Sequence, residues 1–285
     1  MATATAALAP SLLAAEPKGV RWPIGCLNRP WADKHPWGHD VALDGIQAAG
    51  YKLTGLLTRS PKEPLTGADA TPEYLAELKK KIAARGLKAN MAAMRNNEAA
   101  PLAEQIKAMR KQIDNAKFVG VEFLLTFGAN KPEHFEDYYN LMRDAAAYAQ
   151  ERDLKLVLKP HGGASGASEE ILRCLEQVKH PNFKIWFDAG NIVFYTGKDP
   201  IEQLKPIARH VTGLCAKDCD QQGGSVWLEF GTDKVDFPAL FTQLKQAGFN
   251  GPLMVECCAR GDTPEAVTAN ARKNREYLEK TLANV

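Results

Sequence analysis

The sequence predicts a single-domain α/β protein, a closed (β/α)8 or TIM barrel, from three observations. Short apolar, often β-branched runs alternate with longer stretches of helical period, and eight such pairs follow one another. The spacing leaves room for a helix after every run, which implies a parallel sheet covered by helices. The length of 285 residues suits one barrel, which typically takes roughly 250 residues.

The eight expected strands are Arg21 to Cys26, Tyr51 to Thr58, Leu87 to Ala92, Val121 to Thr126, Leu154 to Lys159, Phe183 to Asp188, Val211 to Lys217 and Pro252 to Cys257. Helix starts are marked by Thr71-Pro72-Glu73, Lys131-Pro132-Glu133, Asp199-Pro200 and Thr263-Pro264-Glu265, where proline suits the first helical position and an acid suits the first turn. Ser168-Glu169-Glu170 reads as a further capping pattern. Gly50, Gly86 and Gly248 each follow a helical stretch and stop it just before the next strand. An open doubly wound sheet is the alternative, but the first strand lacks the glycine fingerprint of a dinucleotide site.

Hydrophobic residues make up 45% of the chain and charged residues 25%, enough apolar surface for a large core without covalent staples. A net charge of +2, from 36 basic and 34 acidic residues, provides no basic face for nucleic acid. The six cysteines fall mostly within expected strands and read as buried free thiols. A closed zinc site from Cys215, Cys219 and Cys258 would match no familiar spacing. Residues Met1 to Pro17, rich in Ala and Leu, read either as a truncated export signal without its basic region or as a loose tail, with the barrel running from 18 to 285. A signal would place the protein in the periplasm or outside the cell; otherwise it is expected in the cytoplasm. No later apolar run reaches the roughly 20 residues that span a bilayer, so no membrane partner is expected. Nothing in the sequence specifies an oligomeric state.

In such a barrel the chemistry sits at the C-terminal tips of the strands. Strand five ends Lys159-Pro160-His161-Gly162-Gly163, strand six Asp188-Ala189-Gly190-Asn191, strand seven Cys215-Ala216-Lys217-Asp218 and strand eight Glu256-Cys257-Cys258. Alternation puts Lys159 with His161 and Cys215 with Lys217 on shared faces. If these faces point inward, Lys159, His161, Asp188, Lys217 and Glu256 converge, and they can bind a cation, polarise a carbonyl and move a proton. The bland reading is an ion-pair network that caps the barrel, with Lys217 bridged to Asp218 and His161 held by its glycines. Near the tip of strand one, Asn28, Trp31 and Trp37 are candidates for a sugar pocket, where rings pack on C–H surface and amides bind hydroxyls. Asn90 and Arg95 at strand three are weaker candidates. Gly162, Gly163 and Gly166 can donate backbone N–H groups to an anion, although no phosphate-cradling loop stands out and an unphosphorylated substrate is expected.

The run Asp188-Ala-Gly-Asn191, Lys217-Asp218, Gly231-Thr-Asp-Lys-Val-Asp-Phe237 and Gly248-Phe-Asn-Gly251-Pro-Leu-Met-Val-Glu256 resembles the xylose-isomerase-like superfamily of sugar isomerases and epimerases. The resemblance covers the second half of the barrel by motif and the first half by layout. It implies a small-molecule carbohydrate substrate and a divalent metal (Zn, Mn or Mg) held by Glu, Asp, His and Glu from strands five to eight. Asp188 and Glu256 match two of these ligands. Lys159 stands in place of the strand-five Glu and Cys215 in place of the strand-seven His. Two readings follow: a lysine ammonium that substitutes for the ion, or a rebuilt metal site of His161, Asp188, Cys215 and Glu256. Asn191 takes the place of a sugar-binding His. The expected activity is isomerisation or epimerisation by proton abstraction beside a carbonyl. Glu256 acts on the proton with Asp188 as its partner, Lys159 or a metal stabilises the enediolate, and His161 and Lys217 shuttle protons. The alternatives are a lyase or hydratase acting on an oxidised sugar and a non-catalytic carbohydrate-binding barrel. A DNA-repair endonuclease shares the superfamily fold, but its several His and acidic ligands and its basic surface have no counterpart here.

Overall fold

The computed structural model describes residues 19–33 and 37–285; the leader expectation for Met1 to Pro17 lies outside them. Eight parallel strands close a barrel in sequence order: β1 (Ile24–Leu27), β2 (Leu53–Leu56), β3 (Lys88–Ala93), β4 (Phe123–Thr126), β5 (Lys155–Leu158), β6 (Phe183–Phe187), β7 (Val211–Ala216) and β8 (Leu253–Val255), with β8 paired back to β1. The covering helices are α1 (Arg29–Ala32), α2 (His39–Ala48), α3 (Pro72–Ala84), α4 (Leu102–Val119), α5 (Phe135–Gln150), α6 (Ser168–Val178), α7 (Ala189–Thr196), α8 (Pro200–Leu204), α9 (Phe237–Gln246) and α10 (Pro264–Leu282).

The helix boundaries follow the capping chemistry, with two exceptions. Thr71, Asp199 and Thr263 accept from the first-turn N–H groups of α3, α8 and α10, each with proline just inside. Lys131-Pro132-Glu133 instead opens a short 3-10 turn, Pro132–His134, that leads into α5. The cap of α6 is Ala167, whose N–H is taken by the Glu170 carboxylate, while the Ser168 hydroxyl turns aside to Gln203. Gly50, Gly86 and Gly248 adopt left-handed φ of 91°, 63° and 78°. Among the described residues no helix is long and apolar enough to cross a membrane.

Two apolar layers hold the barrel. Leu27, Met91, Phe123, Leu125, Val157, Trp186, Cys215 and Met254 fill its interior, and the outer faces of the strands pack on the helices. Trp186 stacks on Phe123 with ring centres 5.1 Å apart. It has room because residue 213 is glycine: a Cβ there would lie 0.7 Å from the indole nitrogen. Two register shifts break the regular pairing. Thr54 faces Ala89 while Gly55 faces Met91, so Asn90 is skipped; Thr212 is skipped in the same way between β6 and β7.

Candidate active site

The strands are shorter than expected at their C-terminal ends, and this positions the site. Lys159, Asp188, Lys217 and Glu256 are each the first residue after β5, β6, β7 and β8. Their backbones still follow the ladder, with Lys159 N bonded to Thr126 O and Glu256 N to Ala216 O, both 2.9 Å. The side chains therefore keep the inward parity of Val157, Trp186, Cys215 and Met254 and meet over the top layer of the barrel.

The resulting cluster is almost closed to solvent: Lys159 and Glu256 are 1% exposed, Lys217 2% and Asp188 0%. Lys217 Nζ donates to Glu256 Oε1 at 2.8 Å and lies 3.2 Å from Asp188 Oδ2. Lys159 Nζ donates to Glu256 Oε2 and lies 3.1 Å from the same Asp188 oxygen. Among the described residues Asp188 Oδ2 has no aligned hydrogen-bond donor, so its two ion pairs act through charge alone. Asp188 Oδ1 accepts from Asn191 N at 2.9 Å and caps α7. Arg29, which opens α1, adds a third cation, with Nη1 2.6 Å from Glu256 Oε1.

Burial by itself would push the Glu256 carboxyl up; Lys159, Lys217 and Arg29 outweigh it and hold the group well below the ordinary carboxylate range. Burial would lower the Lys217 ammonium, but Asp188 and Glu256 reverse the sign and keep it charged. His161 is pushed down to about 3 by burial and then by Lys159 and Lys217, so its imidazole is neutral at neutral pH. Its Nε2 shares a 3.0 Å hydrogen bond with Tyr195 OH from α7. Burial raises the Tyr195 phenol. Trp227, on the long connection after β7, packs beside Arg29, with the guanidinium carbons of Arg29 and Arg260 lying 5.1 and 4.1 Å from its ring centre.

Several expected positions make contacts that the sequence does not show. Trp31 is fully buried under α2 and α10, with Nε1 3.3 Å from Thr268 Oγ1, so it packs the helix layer and lines no pocket. Asn28 is also buried: Oδ1 accepts from Leu57 N and Thr58 N and Nδ2 donates to Thr58 O, tying the tips of β1 and β2 together. Trp37 is half-buried against the helix-layer core. Asn191 donates its side-chain N–H to Pro160 O at 2.6 Å, a strut beneath the His161 turn. Asn90 belongs to the opposite end of the barrel, lining a cavity of about 460 Å3 with Lys88, Lys155 and Arg209. Lys217 does not bridge to Asp218; Asp218 accepts from the N–H groups of Cys219, Gly231, Asp233 and Val235 and organises the connection from β7 to α9. The Gly162–Gly166 stretch closes on itself, with Ser165 N bonded to Gly162 O and Gly166 N to Gly163 O.

The donor set does not fit a divalent ion. Asp188, Cys215 and Glu256 present ligand atoms within 4.8 Å of one another. Both carboxylates are already held by two buried ammonium groups, whose positive charge beside Cys215 opposes a second cation there. His161 is not part of that group. Cys219 and Cys258 lie in packing clusters apart from Cys215, so the three form no zinc site. All six thiols are free and buried.

A closed eight-stranded barrel with ionisable side chains at the tips of β5 to β8 defines a class of protein, and the chain belongs to the family described as Xylose isomerase-like TIM barrel, which matches residues 43–281. Among its relatives, an L-ribulose-5-phosphate 3-epimerase from Shigella boydii serotype 18 is 26% identical over 190 residues; the match covers 64% of this chain and spans only 65% of the relative's length. The D-allulose 3-epimerase from Methylomonas sp. shares the fold at a TM-score of 0.72 and 18% identity, covering 94% of this chain and 100% of that one. A xylose isomerase-like TIM barrel protein from Mycobacterium smegmatis, solved with magnesium, superposes equally well, at a TM-score of 0.72 and 18% identity over 93% of this chain and 98% of that one.

Arg29, Tyr195 and Trp227 escaped the sequence reading. Arg29 lies two residues past the end of β1, the one signal that would have found it. Tyr195 and Trp227 lie well beyond their strand tips and carry no such signal.

Proposed function

We propose that the protein is an isomerase or epimerase that moves a proton beside the carbonyl of a small carbohydrate. The observation that carries this reading is the pairing, at one barrel mouth, of an ionised Glu256 with two buried ammonium groups, Lys159 and Lys217. Two of the named relatives are 3-epimerases and support the same reaction class. While all three cations hold it, Glu256 is a weak base. A substrate carbonyl oxygen that takes an N–H from Lys217 or Lys159 loosens that hold, so the base strengthens as the ammonium stabilises the enediolate charge. In this reading neutral His161, hydrogen-bonded to Tyr195, relays the proton.

Incubating ketoses with the protein in D2O tests this directly. Deuterium is expected at the carbon beside the carbonyl with the wild type and not with Glu256→Gln. A folded wild type that exchanges no ketose in a broad panel counts against the reading, and sugar binding without exchange would favour the non-catalytic barrel. One observation favours a second reaction. With Lys159 where the family resemblance implies a Glu, the site pairs one carboxylate base with ammonium proton donors, an arrangement that also suits β-elimination from an oxidised sugar; formation of an ultraviolet-absorbing enone would identify it.

A further inference from the structure

The balance of charge over the barrel mouth is unequal. Among the described residues Lys159, Lys217 and Arg29 form ion pairs with Asp188 and Glu256 alone, three cations to two carboxylates, leaving one positive charge in excess. Arg95, two residues past the end of β3, adds another. It is half-buried, its guanidinium lies 4.9 Å over the Phe127 ring, and Nη2 donates to Leu57 O at 2.8 Å. No carboxylate among the described residues pairs with it. Its nearest charged neighbours besides Glu256 are cations, Arg59 and Arg29, and burial together with Arg59 lowers its affinity for its proton. A guanidinium held in place by a carbonyl and an aromatic face, with its remaining N–H groups unmatched by an acid, is costly to bury unless an anion arrives. Arg95 and His161 line one cavity of about 190 Å3 together with Asn96, Phe127 and Asn130, and Glu98 is the single acid in its wall. This space adjoins the Lys159 cluster through His161.

We propose that Arg95 is the seat for an anionic group on the substrate, a carboxylate or phosphate carried by the sugar whose carbonyl faces Lys159 and Lys217. The inference rests on the isomerase reading for the identity of the sugar part and names the substrate class as acidic. A carboxylate matches the sequence expectation of an unphosphorylated substrate; a phosphate would overturn that expectation and keep the seat. Arg95 is here a specificity residue and takes no part in the proton transfer.

Calorimetric titration of the full chain with D-fructose, D-fructuronate and D-fructose 6-phosphate tests the proposal without turnover. At least one anionic probe is expected to bind tenfold or more tightly than fructose, and whichever does so identifies the anion. Arg95→Met is expected to lose that tenfold preference while its affinity for fructose stays unchanged. Should this variant fold poorly, Arg95→Lys, which keeps the charge, is expected to keep a reduced preference, and added salt is expected to weaken the anionic probe alone in the wild type. Equal affinity for all three probes, no binding of either anionic probe, or a preference that survives in Arg95→Met overturns the proposal. A preserved preference without deuterium exchange in any probe would sink the isomerase reading and leave the anion seat standing.

Discussion

Removing an acid from the buried cluster should cost more stability than removing a base. Glu256 touches Lys159, Lys217 and Arg29, and only Arg29, at 26% exposure, is substantially screened by solvent. At an effective dielectric of about 20, a pair separated by 2.8 Å, such as Lys217 with Glu256, attracts by about 6 kcal/mol before desolvation is charged against it. Breaking a buried pair and stranding its partner typically costs about 3–5 kcal/mol. In Glu256→Gln two buried ammonium groups share Asp188 alone and the positive surplus doubles, so a loss of about 3–5 kcal/mol is expected. In Lys159→Met the surplus disappears and both carboxylates keep Lys217, so the expected loss is about 1–2 kcal/mol. The double variant restores the native surplus and should be less destabilised than Glu256→Gln by more than about 1 kcal/mol. Equilibrium urea unfolding at pH 7, followed by tryptophan fluorescence and far-ultraviolet circular dichroism, measures all three. The reasoning is refuted if Lys159→Met costs as much as Glu256→Gln, or if the two losses simply add.

His39 supplies a pH prediction. Burial pushes its imidazole down to about 4 from 6.5, and Nε2 has no partner among the described residues, so the folded state keeps it neutral while the unfolded chain takes up a proton first. Stability is therefore intact above 6.5 and falls as pH drops toward 4, by up to about 3 kcal/mol; His39→Gln should flatten that limb in urea midpoints taken at pH 7.5 and 4.5. Gly213→Ala drives a Cβ into Trp186 and should cost about 3 kcal/mol or more, with a shifted tryptophan emission; a wild-type melting curve would contradict the packing described. Asp218→Ala removes the acceptor of four backbone N–H groups, and limited proteolysis should then cut within 219–236 at a rate the wild type does not show. Elemental analysis of protein prepared without chelators should find no stoichiometric divalent metal, and EDTA should leave the melting temperature unchanged; metal that binds one per chain and disappears in Asp188→Asn would show that the ammonium groups give way to an ion.

Much of the site was legible because the signals were local. A polar residue at the end of an apolar run, read with alternating parity, is enough to point Lys159, Asp188, Lys217 and Glu256 at one another once the strands are known to close. The same reasoning misplaced Asn90, because a skipped residue in the β2–β3 pairing is invisible in a single strand. It also over-read Trp31 and Asn28, since nearness to a strand tip does not distinguish a side chain facing the mouth from one turned under α2 or across to β2. Asp218 looked like the partner of Lys217 by adjacency, yet neighbouring residues leave a strand end on opposite sides.

Eight apolar runs of strand length, helix caps at Thr71, Asp199 and Thr263, and glycine stops at Gly50, Gly86 and Gly248 determine the barrel from sequence alone, because each is a local preference that agrees with its neighbours. Only the tertiary structure decided which charges pair. Glu256 meets Lys159 across 97 positions of chain and Arg29 across 227, and electrostatic energy depends on distance in space, which sequence separation does not encode. The closing of the barrel turned four strand-end residues into one buried network and left Arg95 without an ion-pair partner among the described residues.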